Sequence, residues 1–498
     1  MMKKTIKNYL NAHKREMLTA AIILSAFLLR AGIAAVTDDF HGVSNGRILQ
    51  AEKILFTPGE SALWCNPVHP PLHIFLLVFG LKLYNNTLIT PRLISLLFGV
   101  LTMVPFYLFF KKTFNGTVAF FSLIAVALYS QHIAYSVIAT SETVFHFCFF
   151  TALFLLAVFF EKEEQAVLFW SGIFFGLSAM ARYEGLAAVP AVLFFLKGRF
   201  KAMGIFLLGA CLLPLAWMLL NKIVWGNPLE FVSTNNVTVP AQFNWIRQQG
   251  ERIDPGYKIL FWPRSLIETL GIPVFFLGVS GTVYTLMRRE KLLPAGIFAF
   301  FFILFVFMTS QERLYLQPRY GITLGLLLIP FSVFMFFKII SLSKNKMPDW
   351  IVLILLWSMI PAIGEAILEE PLYIPQFAKD TAYYIKQKAK KEDNIIIDHC
   401  GDEKYREPIK VMSGVDPRCF VSAAYNVFRD GRYVAEKKRF FHVLDDYDIT
   451  LLVYSPYGAL SSILVLNKDR VPQKKEGFIF TLSYANELYG IYNVKKEE

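Results

Sequence analysis

Two adjacent carboxylates, Asp38 and Asp39, stand in the stretch AAVTDDFHGVSNG, directly after an apolar run long enough to cross a bilayer. Like charges held side by side near lipid repel one another and lose hydration, which raises the pKa of one of them and makes it a proton acceptor near neutrality. Other isolated charges occupy comparable places. Arg92 opens a second apolar run, Glu142 opens a later one, Arg182 and Glu184 join two more, and Arg319 opens a late one. Charges at such depth are costly, and they either pair with one another or serve a site. Taken singly, each also fits a plain interfacial residue, an Arg that snorkels or a Glu that meets water. Taken as a set on one side, they describe a cleft in which a proton acceptor and anion-gripping cations meet.

The elements that must position these residues are membrane spans. Over 498 residues the chain is 55% hydrophobic, 16% aromatic and only 18% charged, with a mean hydropathy of +0.46, too apolar for a soluble domain of this length. The net charge of +12 does not point to nucleic acid, because Lys and Arg fall mostly in short clusters between apolar runs, the pattern of membrane orientation signals. The opening MMKKTIKNYLNAHKRE, with the apolar run to Val36, reads as an uncleaved first span in preference to a signal peptide cut at AGIAA, since many spans follow and Arg30 interrupts the run. Of five cysteines, Cys148 and Cys211 lie in apolar runs, whereas Cys65, Cys400 and Cys419 lie in polar ones. None has zinc-site spacing; a Cys400–Cys419 disulfide is open if that region is extracytoplasmic.

A span needs about 20 mainly apolar residues, and eleven runs qualify: 17–36, 91–110, 117–136, 142–160, 166–181, 183–197, 202–223, 267–287, 292–309, 320–338 and 349–367. A further stretch, HPPLHIFLLVFGLKLY from His69, is short, opens on two prolines and carries Lys82. If it does not cross, the clusters at Lys111, Lys197, Arg288 and Lys338 share a side with the basic N-terminus, as the positive-inside rule requires. It is therefore expected to lie in the outer interface, with Pro70 and Pro71 in its first turn. The acidic loop EKEEQ at Glu161 falls on the inner side, where acids weigh little in this rule. A membrane domain over 1–369, with outer loops 37–90 and 224–266, then precedes an extracytoplasmic α/β domain over 370–498. That last region is more polar and carries the β-rich runs NIIID, ITLLVYS, SSILVLN, FIFTLSY and LYGIYNV beside the helical AKDTAYYIKQKAKK. No internal repeat of the transporter kind is visible.

In that order the chain resembles the polytopic C-type (GT-C) glycosyltransferases that take sugars from polyprenyl-phosphate carriers, among them protein O-mannosyltransferases and lipid A aminoarabinose transferases. The resemblance runs through roughly the first 340 residues. It rests on the acidic pair after the first span, HPPL at His69, PRLISLLFGVLTMVPFYL from Pro91, SVIATSETVFHF with its acid opening a span, and QPRYGITLGLLLIP from Gln317.

The resemblance implies a mainly α membrane protein and an inverting transfer to a lipid, glycan or protein acceptor at the outer face of the plasma (inner) membrane. A phosphate is already a good leaving group, so the reaction needs one base and cations for the phosphate. The base would be Asp38 or Asp39, the first by family position. Asp39 also reads as a cap for the helix in SNGRILQAEKIL, where Ser44 is the better cap candidate. Arg92, Arg182 and Arg319 would grip the phosphate, although Glu184 could simply neutralise Arg182. His69, Glu142 and Tyr320, which follows Arg319, complete the expected substrate-binding set; Glu142 also fits ordinary helix capping. Asp38, Asp39, Glu142 and His69 are ligand types suited to a divalent metal, but no metal spacing links them, and no other cofactor is implied. A transporter or lipid flippase, or a scaffold presenting the C-terminal domain, would share the span count. The first should show broken-helix repeats and charges at mid-bilayer.

Overall fold

The computed structural model describes residues 2–39, 41–56, 69–248, 252–342, 351–362, 372–398, 405–421, 426–429 and 432–497.

 The chain divides into two compact units, one formed by residues 1–36, 65–73 and 92–369 and the other by residues 37–64, 74–91 and 370–498.

The helices run α1 (Met2–Val36), α2 (Gly42–Phe56), α3 (Pro71–Leu83), α4 (Thr90–Thr113), α5 (Gly116–Ala127), α6 (Ser130–Val137), α7 (Glu142–Lys162), α8 (Gln165–Ala181), α9 (Glu184–Phe195) and α10 (Phe200–Trp225). They continue as α11 (Glu230–Gln248), α12 (Pro255–Leu270), α13 (Ile272–Arg288), α14 (Leu292–Ser310), α15 (Ile322–Leu342) and α16 (Val352–Trp357). Among the described residues, six helical stretches are long and apolar enough to cross a membrane: Arg15–Val36, Thr90–Thr113, Glu142–Lys162, Phe200–Trp225, Leu292–Ser310 and Pro318–Leu342. Helices α5 and α6 pass the same length and composition test only as a pair, bent by 56°, a broken span or a re-entrant loop.

The expected count of eleven is not reproduced, and the reason is local. Apolar composition continues through positions where the backbone leaves the helix. The run 166–181 is a 17-residue helix ending at an extended Arg182 (φ −152°, ψ 138°), and the next, α9, has 12 residues. The run 267–287 contains Gly271, whose φ of +83° separates α12 from the 17-residue α13. The run 349–367 extends past residue 362, outside the described residues. The stretch from His69 does form a helix, α3, of 13 residues starting at Pro71.

Packing in the first unit relies on small residues, as expected where lipid removes most of the hydrophobic drive between helices. Gly172 on α8 and Gly209 on α10 face each other's backbones. A methyl group on Gly172 would stand 2.5 Å from the Phe206 carbonyl oxygen, and one on Gly209 would stand 2.5 Å from that of Phe169. Phenylalanine fills much of the remaining interior: Phe149 makes edge contacts with Phe150, Phe175 and Phe301 at centroid distances of 5.5 to 5.9 Å.

In the second unit, α17 (Gln376–Lys388), α18 (Arg406–Ser413) and α19 (Lys437–Asp446) accompany a five-stranded sheet. Its strands are β1 (Asn394–Ile397), β4 (Ile449–Tyr454), β5 (Gln473–Lys475), β6 (Phe478–Ala485) and β7 (Gly490–Lys496), in the order β1-β4-β7-β6-β5. A separate hairpin pairs β2 (Asn426–Arg429) with β3 (Arg432–Ala435). Strands β1 and β4 run parallel; the other neighbours in the sheet are antiparallel.

Both sheet faces are covered, so successive residues serve opposite cores. Ile395, Ile397, Leu451 and Val453 pack with Ala378, Ala382 and Ile385 of α17 and Ile409 of α18. Ile396, Leu452 and Tyr454 pack with Phe440, Val443 and Leu444 of α19. Four of the five expected β-rich runs are strands. SSILVLN is not: residues 459–462 form a 3-10 turn, and Leu464 and Leu466 enter the α19-side core from irregular chain. Cys400 lies outside the described residues, so the Cys400–Cys419 pairing does too; Cys419 is buried and donates to the Lys391 carbonyl.

Candidate active site

The first unit contains a compact ionic cluster built on four different elements. Glu142 opens α7 with its side chain 2% exposed. Arg182, just past the end of α8, donates through Nη1 to Glu142 Oε1 at 2.5 Å. It also donates to Glu184 Oε1, the first residue of α9, through Nε at 3.0 Å and Nη2 at 2.7 Å. Arg319, in a 3-10 turn over Pro318–Gly321, places Nε 3.7 Å from Glu142 Oε1. Tyr320 lies against both guanidinium groups, 4.6 Å from that of Arg182 and 5.5 Å from that of Arg319, and Tyr315 stacks on it.

The local chain explains these placements. Arg182 is extended because α8 ends there, and the short turn to Glu184 folds the acid back onto the guanidinium. Ser141 precedes Glu142 and makes no side-chain cap to α7, while the Glu142 carboxylate accepts from Arg182. Two carboxylates and two guanidinium groups balance in charge, which is how buried ions are tolerated. An oxyanion brought here would meet two planar, charged fork donors already oriented by their acids and by Tyr320.

Arg92 stands two residues into α4 and donates through Nε to the Val137 carbonyl at 2.7 Å, at the end of α6. His69 is half-buried, just before the prolines that open α3. Asp38 and Asp39 belong to the second unit. Asp38 Oδ2 accepts from the backbone N–H of Ile374 at 3.1 Å and pairs with Lys379 Nζ at 2.7 Å. Asp39 uses both oxygens locally: Oδ1 accepts from the His41 N–H at 3.2 Å and Oδ2 from Ser44 Oγ at 2.5 Å, while its carbonyl accepts from Asn45. Ser44 therefore does not serve as the expected cap; its hydroxyl is spent on Asp39. Helix α2 begins at Gly42, which leaves Ser44 inside it, buried and donating.

The structure thus brings Glu142, Arg182, Arg319 and Tyr320 together. Three contributors were not among the expected site residues. Glu184 completes the cluster, and Lys379 binds Asp38. Arg30, fully buried, donates to the carbonyls of Ala26, Val126 and Ala127 and to Nδ1 of His132. Its position inside an apolar run was a visible signal; the contact of Lys379 with a residue 341 positions earlier in sequence, Asp38, had none. Among the described residues, no group of three or more His, Cys, Asp and Glu side chains could hold a metal ion. The acids expected as ligands instead have cationic or backbone partners.

Residues 68–220 match the family described as dolichyl-phosphate-mannose-protein mannosyltransferase. That stretch contains His69, Arg92, Glu142, Arg182 and Glu184. No curated protein matches significantly. Among solved structures, apo ArnT from Cupriavidus metallidurans matches with a TM-score of 0.60 at 14% identity, over 97% of this chain and 98% of that one. The Archaeoglobus fulgidus oligosaccharyltransferase in complex with Zn and sulfate gives 0.58 at 13% identity, over 87% of this chain and 68% of that one. AglB from the same organism, bound to an inhibitory peptide and a dolichol-phosphate, gives 0.56 at 13% identity, over 87% and 69%. The resemblance to C-type membrane glycosyltransferases therefore holds at two levels, a mannosyltransferase match over residues 68–220 and a fold similar to ArnT over nearly the whole chain.

Proposed function

We propose that this protein is an integral-membrane, inverting glycosyltransferase. It moves a sugar from a polyprenyl-phosphate carrier to a lipid, glycan or protein acceptor at the outer face of the plasma membrane, where residues 370–498 form an extracytoplasmic α/β domain. The observation that carries this reading is the coincidence of two findings: the segment similar to mannosyltransferases supplies Glu142, Arg182 and Glu184 to a buried, charge-balanced cluster that also holds Arg319 and Tyr320.

In the proposed reaction the acceptor oxygen attacks C1 of the sugar and the C1–O bond to phosphate breaks in one displacement. The acceptor proton passes to a carboxylate, and polyprenyl phosphate leaves as the anion. Arg92, Arg182 and Arg319 hold the phosphate oxygens, Glu142 and Tyr320 orient the guanidinium groups of Arg182 and Arg319, and His69 contacts the phosphate or the acceptor. Between the two candidate bases Asp38 is favoured, because its Oδ1 carries no bond among the described residues whereas both oxygens of Asp39 are engaged at the start of α2.

The test uses the full chain in membranes from cells lacking the gene, supplied with labelled polyprenyl-phosphate mannose, N-acetylglucosamine or aminoarabinose. Glycans and lipids with and without the gene are compared by mass spectrometry. Transfer by the native chain, reduced at least about 100-fold in Asp38→Asn, is expected of a lost general base. Transfer unchanged in Asp38→Asn, Asp39→Asn and the double variant would sink the assignment.

A further inference from the structure

We infer that Lys379, on helix α17 of the second unit, is a positioning residue for Asp38. The inference rests on the functional reading above, in which Asp38 is the base. Three contacts join the chain around Asp38 to the C-terminal region. The Asp38 N–H donates to the Leu372 carbonyl at 2.8 Å, the Ile374 N–H donates to Asp38 Oδ2 at 3.1 Å, and Lys379 Nζ lies 2.7 Å from the same oxygen. Backbone and side chain of Asp38 are therefore both fixed by residues 372–379.

The two donors converge on Oδ2 alone. They fix the plane of the carboxylate and leave Oδ1 as the oxygen that can take a proton. The pair is partly exposed, with side chains 35% and 30% accessible, so it adds little to stability. Its use is orientation. Lys379 sits on α17, whose Ala378, Ala382 and Ile385 are buried against β1 and β4, so the ammonium is carried by a helix anchored in the sheet's core. The C-terminal domain thereby acquires a part in catalysis: it orients the base.

The test compares the native chain, Asp38→Asn, Lys379→Met and Lys379→Arg, each as the full chain in membranes, with the labelled polyprenyl-phosphate mannose, N-acetylglucosamine and aminoarabinose donors named above. Thermal unfolding of each is followed in detergent. Lys379→Met is expected to lower transfer about 10- to 100-fold, the cost of a misplaced reacting group, with the unfolding temperature unchanged and with Lys379→Arg restoring most of the rate. A native rate in Lys379→Met beside an inactive Asp38→Asn overturns this inference alone. Native transfer in Asp38→Asn overturns the base assignment and this inference with it. Equal loss in Lys379→Met and Lys379→Arg, or loss that tracks lost folding, also counts against it.

Discussion

Glu142 and Arg182, forty residues apart, form a 2.5 Å hydrogen-bonded ion pair in which the Glu142 side chain is 2% exposed and that of Arg182 9%. Removing one partner from a buried pair leaves an uncompensated charge, which costs about 3–5 kcal/mol. Glu142→Gln should therefore lower the unfolding temperature in detergent and abolish transfer. Combined with Arg182→Gln, the loss should fall short of the sum of the single losses by about 1–3 kcal/mol, the signature of coupled neighbours. Strictly additive losses would show that the two side chains do not act on each other.

A second consequence concerns pH and lies outside the spans. Burial first, and then the negative Asp416, pushes the Glu52 carboxyl on α2 up from 4.5 to about 7. Asp416 is the charge that acts on it; Arg418 and Lys391 act in turn on Asp416, and Lys53 of α2 acts on Lys410 of α18, which also feels Arg406 and Glu407. A carboxyl whose folded pKa is raised binds its proton more tightly in the native state. Its contribution is fully present below the unfolded value and is lost as pH rises through the window from 4.5 to about 7. Glu52→Gln should match the native chain at pH 4 and exceed its stability at pH 8 by about 2–3 kcal/mol. Thermal unfolding of the full chain across that range checks this, and a difference that does not vary with pH refutes it.

Much of this architecture was legible because lipid and water sort residues coarsely. The runs that became α4, α7, α10, α14 and α15 are mainly apolar and long enough to span. The strand runs around Ile396 and Leu452 announced a sheet. What composition could not show was where the backbone breaks. Arg182 and Gly271 end helices inside apolar sequence, because there a bond to a partner or a positive φ outweighs helix continuation. The cluster of Glu142, Arg182 and Arg319 was legible as a set of isolated charges. Its internal pairing was not, since pairing depends on which turns bring α7, α8 and the Pro318–Gly321 segment together. The N-terminus of α2 shows the same limit: Ser44 has the better cap chemistry, but the helix starts two residues earlier, and Asp39 receives its hydroxyl.

The contact of α8 with α10 gives a test of packing alone. Gly172→Leu would drive carbon into the Phe206 carbonyl, which lies 2.5 Å from the first added atom, and backbone there has no room to yield. Overpacking of this kind costs about 1–3 kcal/mol or more, and the variant should give lower yield and unfold earlier in detergent. Gly204→Ala, on the same α10, is the control, because nothing lies within 4 Å of its added methyl group. Equal behaviour of the two variants would show that the close approach at Gly172 is not required.

Arg30 gives the last expectation. Helix α5 stops at Ala127 and α6 turns away by 56°, which leaves the last carbonyls of α5 short of helical donors: that of Val126 has the Tyr129 N–H at 3.3 Å, and that of Ala127 needs a donor from elsewhere. Arg30 reaches both: its Nη1 donates to Ala127 and its Nη2 to Val126, at 3.3 Å each, and Nη2 also meets His132 Nδ1 at 3.0 Å. The positive group at the helix C-terminus adds a favourable dipole interaction. Arg30→Met should cost about 1–3 kcal/mol for each buried acceptor left unmade. Arg30→Lys should recover only part of the loss, because one ammonium cannot reproduce a planar fork that spans two carbonyls and an imidazole. Unfolding temperatures of the three chains in detergent decide the matter: full rescue by lysine would mean that charge alone, and not the fork, holds the break between α5 and α6.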